Sequence, residues 1–227
     1  MGLDSNPIGK PKPGHEAEFV ELFELLGDGP RTASWGERLR GLFRRVDREA
    51  ATARGLEIQD SPYVTLAAPQ VGRDPRADAW ARQMFREHAP KDQTEDEFIA
   101  AMQDYYVVAL APPCDGIPLY SNGSAGYVEP FSFRAQFVVK ECKDAIDRAL
   151  IERCYRNSLA PELAELGADL RACADRFAGL HGVGHVAAQR DIDAAEGSAA
   201  SKAHILYSAA RWCEWWSSRG HGLEAYV

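Results

Sequence analysis

Apolar residues recur at steps of three and four along most of the chain. The clearest run is Leu159, Leu163, Leu166, Leu170, Cys173, Phe177, Leu180 and Gly184. One face of a 3.6-residue helix repeats at that interval, so the run predicts a long helix lying in the groove of a bundle. Shorter versions flank it. Phe19, Leu22, Phe23 and Leu26 predict a helix from His15, stopped by the Gly27–Pro30 turn. Ser34 with Glu37 has the spacing of a capping box and opens a stripe through Leu39, Leu42, Phe43 and Val46. Asp74-Pro75 starts a helix through Trp80, Met84, Phe85 and His88 that Pro90 ends, and Thr94 with Glu97 caps a stripe through Phe98, Met102, Tyr105 and Ala109. Pro130 fits a first helical position, with Val138, Cys142, Ala145 and Ala149 following in a helix to about Tyr155. A last helix carries Ile205, Leu206, Ala209, Trp212, Cys213 and Trp216 after the small-residue break at 196–201.

Against these helices the extended signals are weak. Tyr63–Ala68 is bracketed by Pro62 and Pro69 and reads as extended loop, and no internal repeat is visible. The expected class is an all-α helical bundle in a single domain over residues 15–227. Residues 1–14, rich in Pro and Gly, are expected to be a disordered or loosely draped arm with no role.

With 227 residues, 45% of them hydrophobic, the chain can bury a large core. Its formal net charge of −8, and the lack of any Lys/Arg run longer than Arg44-Arg45, argue against a nucleic-acid surface. Five cysteines, odd in number and scattered, read as free thiols packed as small hydrophobes, which suits a reducing cytoplasm. No apolar run reaches the roughly 18 residues of a membrane span, and no apolar signal core follows the N-terminal lysines. Homo-oligomerisation is compatible with all of this.

Candidate chemistry concentrates in two places. The stretch PLYSNGSAGYVEPFSFR, from Pro118 to Arg134, is rich in residues that turn cheaply, so its backbone can close against a flat ligand. Arg134 falls four before Val138 on the same apolar stripe. A guanidinium on a buried face needs an anion, and a ligand carboxylate is the natural one if the chain supplies none. The second place is HGVGH, with His181 and His185 one helical turn apart and glycines beside them. A zinc pair would want a catalytic Glu where Gly182 stands, a haem would take one imidazole as axial ligand, and an exposed pair near a helix end would do neither. His88 is either a distal proton-transfer group or a helix-end residue facing the dipole. Tyr120, Tyr127, Phe131 and Phe133 stack on a substrate or belong to the core, and Trp212, Trp215 and Trp216 line a cofactor edge or pack the last helix. There is no Cys-x-x-Cys-His, no Glu-x-x-His, and no serine in a nucleophile-elbow context.

The run GSAGYVEPFSFR, ending in Phe133-Arg134, resembles the substrate loop of the tryptophan dioxygenase superfamily of histidine-ligated haem enzymes. His185, Arg190 and the small-residue run Gly197–Ser201 are similar to that family's axial-histidine helix and the loop after it. The loop here lacks the family's repeated glycines, and the interval from Arg134 to His185 is much shorter. The resemblance implies a tryptophan dioxygenase-like fold holding haem b, with His185 on the iron and His181 as second choice. It implies Arg134 on the substrate carboxylate, Ser121, Asn122, Ser124, Tyr127 and Phe131 around the substrate, and His88 moving protons. The implied activity is hydroxylation of an aromatic amino acid, L-tyrosine to L-DOPA, with peroxide or with oxygen plus a reductant, in an antibiotic-type biosynthetic pathway. Two alternatives stand beside it: oxygenation of an indole or tryptophan on the same fold, and a cofactor-free helical module binding small aromatic acids through Arg134.

Overall fold

The computed structural model describes residues 2–26, 48–88, 93–114, 120–121, 126–127 and 131–226. Among the described residues there are nine α-helices and three two-stranded antiparallel ribbons, so the chain is mostly helical. It divides into two compact units, one of residues 1–62 with 116–227 and one of residues 63–115, where a single domain was expected.

The first unit is built on α8 (Ala160–His181) packed along α9 (Ala199–Ser217). The periodic residues of α8, from Leu163 through Leu166, Leu170, Cys173 and Phe177, are buried as their spacing requires. Gly167 lets the helices approach closely, since a Cβ there would come within 2.9 Å of the Cys213 Cβ. Ser198 caps α9 by accepting from the Ser201 N–H. The pair is tied at its edge by Arg171, whose guanidinium forks onto Glu214 at 2.5 and 2.6 Å, and by the Tyr207 hydroxyl donating to Asp175 at 2.7 Å. Four of the cysteines are buried free thiols, as their apolar positions suggested.

The N-terminal arm is ordered structure, not a draped tail. Strand β1 (Asp4–Pro7) pairs antiparallel with β6 (Leu223–Tyr226), and β2 (Lys10–Pro11) with β3 (Gln59–Asp60). Leu3, Ser5, Pro7 and Gly9 alternate inward with the period of two that a half-buried strand has. His221, fully buried, donates from Nδ1 to the Ile8 carbonyl at 2.8 Å and stands edge-on to Trp216. A four-residue strand without β-branched residues leaves no propensity signal, and its partner lies at the far end of the chain.

Three expected helices differ in extent. The one expected from Pro130 to Tyr155 is two, α6 (Gln136–Glu141) and α7 (Arg148–Cys154), because the Asp147 carboxylate caps α7 by accepting from Leu150 N–H at 2.8 Å. The long helix stops at His181 because Gly182 turns left-handed at φ +67°, which places His185 on a separate 3-10 turn, Gly184–Ala188. In the second unit, α4 (Pro75–His88) starts at its proline, and α5 (Glu95–Ala101) has the full capping box of Thr94 and Glu97. It ends at Ala101, and Asp104 at φ +65° returns the chain so that Val107 N–H reaches the Pro69 carbonyl at 2.8 Å. Tyr63–Ala68, expected as extended loop, instead follows Pro62 into one helical turn, α3 (Pro62–Thr65). Val71, Ala77, Ala81 and Val107 form this unit's core, with Trp80, Ile99, Met102 and Leu110 against it. The helix expected over 34–46 lies outside the described residues.

Candidate functional site

Arg134 lies before α6, not on its stripe. Ser5 and Phe133 exchange backbone hydrogen bonds of 2.7 and 2.9 Å, which lays the start of β1 beside Arg134. The Arg134 Nε is then 2.5 Å from Asp4 Oδ1, with side chains 32% and 20% exposed. The anion that this position demanded comes from within the chain. Phe131 and Phe133 meet Trp216 and Trp212 at ring separations of 6.3 and 6.5 Å, so both pack on core tryptophans. Trp215 carries the Arg219 guanidinium over its ring at 3.8 Å.

The three singled-out histidines are all exposed. His181 ends α8 with its ring 4.4 Å from Phe177, and His185 projects from the 3-10 turn. His88, 74% exposed at the end of α4 in the second unit, has Nε2 3.9 Å from Glu87. Ser121 and Tyr127 belong to a ribbon of β4 (Tyr120–Ser121) and β5 (Gly126–Tyr127), in which Ser121 faces Gly126 and Tyr120 faces Tyr127. Their side chains, and Asn122 and Ser124 altogether, lie outside the described residues. Among the described residues no group of three or more His, Cys, Asp or Glu side chains is placed to hold a metal ion. The buried imidazoles are His204, 5% exposed on α9, and His221, fully buried, neither of which the sequence singled out. Burial pulls both below the ordinary histidine value of 6.5, against the opposing pull of hydrogen bonds to backbone groups.

A concave site lies elsewhere in the first unit. Helices α1 (Glu16–Leu25) and α2 (Arg48–Glu57) flank a groove of about 390 Å³. One wall is Phe19, Leu22, Phe23 and Leu26, and the other is Thr52, Gly55 and Leu56. Ile8, Gly9, Gln59, Asn157 and Glu224 complete it. Phe19 and Phe23, one turn apart, are buried, while Leu22 and Leu26 are half-buried along the groove. Gly55 keeps the facing wall thin, and a Cβ there would meet nothing within 4 Å.

The walls are held by charge. Arg54 forks onto Glu18 at 2.7 and 2.9 Å and reaches Glu57 at 2.7 Å. Arg48 donates to the Leu26 carbonyl, and Lys12 to that of Glu57, both at 2.7 Å. The Arg54 hydrogen bonds, helped by His15, hold the Glu18 carboxyl down at about 2. Of the polar lining groups, the Thr52 hydroxyl donates to the Arg48 carbonyl and Asn157 Oδ1 accepts from Ala225 N–H, each at 2.8 Å. The described lining holds no nucleophile beside a base, and its apolar walls with polar groups at the margin suit enclosure of an apolar body. The α1 stripe was visible in the sequence, but the groove joins stretches distant along the chain, and a lone helical glycine gives no signal for it.

No helix among the described residues is long and apolar enough to cross a membrane. Comparison with family models, curated proteins and solved structures returns no match.

Proposed function

We propose that the protein binds a small, largely apolar organic molecule in the groove between α1 and α2. The observation that carries this reading is a cleft of about 390 Å³ with apolar walls held apart and in place by the Arg54 fork. That volume falls within the roughly 300–1,000 Å³ of small-molecule sites. The binding-module alternative drawn from the sequence is thereby kept with its site moved, because Arg134 is engaged by Asp4. Gly55→Phe fills the groove from a position where space exists. Saturation-transfer NMR with 2-phenylethanol should show binding to the wild type and none to this variant, whose melting temperature should be no lower than that of the wild type. Equal binding by both would refute the assignment.

A second reading keeps the haem-dependent hydroxylation of L-tyrosine to L-DOPA on a tryptophan dioxygenase-like form of the helical fold, in the cytoplasm. It is supported by the sequence run ending at Arg134 and by an imidazole, His185, that no described hydrogen bond occupies. As placed, however, these residues do not fit haem b. An axial ligand is shielded by its porphyrin pocket, whereas His185 faces solvent, and the Arg134 charge is met by Asp4. No step is therefore derived through the group. Titration with haemin separates the readings: a Soret band lost in His185→Ala, with catechol formed from tyrosine, establishes the second, and a flat visible spectrum removes it.

A further inference from the structure

Taking the groove as the binding site, we infer that its ligand is an organic ammonium, with the apolar body between α1 and α2 and the cationic head at Glu224. Glu224 is the only ionisable residue among the groove's described lining. It stands on β6 opposite Asn6, between buried Leu223 and half-buried Ala225, whose N–H the Asn157 side chain holds at 2.8 Å. Its backbone is therefore fixed while its carboxylate faces outward. No ion pair or hydrogen bond of that carboxylate occurs among the described residues, and the other acids of the wall helices lie outside the described lining. Glu18 and Glu57 share Arg54.

Of the cations beside the walls, only Arg54 is paired with carboxylates, and no Lys or Arg side chain belongs to the described lining. Arg54 is spent on those two carboxylates, Arg48 on the Leu26 carbonyl and Lys12 on the Glu57 carbonyl. A carboxylate ligand would meet Glu224 with no guanidinium among the described lining to offset it, so the preferred charge is opposite to that of the acid expected at Arg134. The chain's net charge of −8 adds a long-range field of the same sign. A protonated amine loses less hydration here than in a closed cavity, because Glu224 is exposed, and the remaining affinity comes from the apolar walls.

Three probes of one shape and different charge test this on the full chain: 2-phenylethylammonium, 2-phenylethanol and 3-phenylpropanoate, titrated by NMR near neutral pH. The ammonium should bind about fivefold more tightly than the alcohol, the strength of an exposed ion pair, and the propanoate most weakly. Glu224→Gln should bring the ammonium to the level of the alcohol and leave the alcohol unchanged, and about 0.5 M salt should narrow the gap in the wild type. Equal affinity of ammonium and alcohol, or a preference for the propanoate, overturns the charge assignment while leaving the groove standing. If no probe binds, or Gly55→Phe leaves binding intact, the groove itself is refuted.

Discussion

The neighbourhood of Arg134 and the groove at Glu224 pose the same electrostatic problem and solve it differently. Each sets one charge beside apolar walls. At Arg134 a strand from the other end of the chain brings Asp4 to within 2.5 Å, and the charge is consumed by the fold. At Glu224 no cationic side chain belongs to the described lining, and the charge stands at the margin of a cleft. A charge on an apolar stripe shows that a partner is required. It does not show whether that partner is a ligand or another part of the chain.

The largest expected effect tests the closed side. Deleting residues 2–6 removes buried Leu3, most of the β1–β6 pairing and Asp4 together, a loss of about 5 kcal/mol or more that should leave the first unit largely unfolded by circular dichroism. Asp4→Ala alone should cost about 1–3 kcal/mol in urea titration. That is less than for a fully buried pair, because both side chains are partly exposed. Adding Arg134→Ala to it should recover part of the loss. No effect of Asp4→Ala would mean that Arg134 has a different anion.

On the open side the stability effects are smaller. Gly55→Phe should abolish probe binding and raise stability by roughly 0.5 kcal/mol through helix propensity, read as a slightly higher urea midpoint. The two regions should also separate by pH. His204 and His221 are held below their ordinary 6.5 in the folded state, so the unfolded chain binds protons first. Stability is then full above pH 6.5 and falls as the pH drops below it, and His221→Gln should flatten part of that slope. Glu18 behaves later: the support it gives the groove is present above its ordinary value of 4.5 and is lost as the pH falls from there toward about 2. Between pH 6 and 5, urea midpoints should drop while probe affinity per folded molecule holds.

What was legible in the sequence is what local chemistry decides. Helices α1, α4, α8 and α9 and the Thr94 capping box follow from apolar spacing, Pro75 and caps within a few residues. The failures are decided at a distance or by one backbone torsion. Apolar spacing ran on through the Asp147 cap, and the left-handed Gly182 separated two histidines that spacing had placed on one helix face. The β1–β6 pairing joins the two ends of the chain, so the arm looked idle and Arg134 looked unpartnered. Of the candidate site, the apolar half of the groove was visible as the α1 stripe, whereas Gly55 and Glu224 acquire meaning only once the strands bring them to it.

The most direct test is a 15N–1H correlation spectrum of the full chain titrated with 2-phenylethylammonium. Binding in the groove should concentrate shifts at Phe19, Leu22, Phe23, Thr52, Leu56 and Glu224, with Phe133–Gln136 and His181–Val186 unmoved. Shifts centred on Arg134 and His185, with the α1–α2 amides silent, would contradict it.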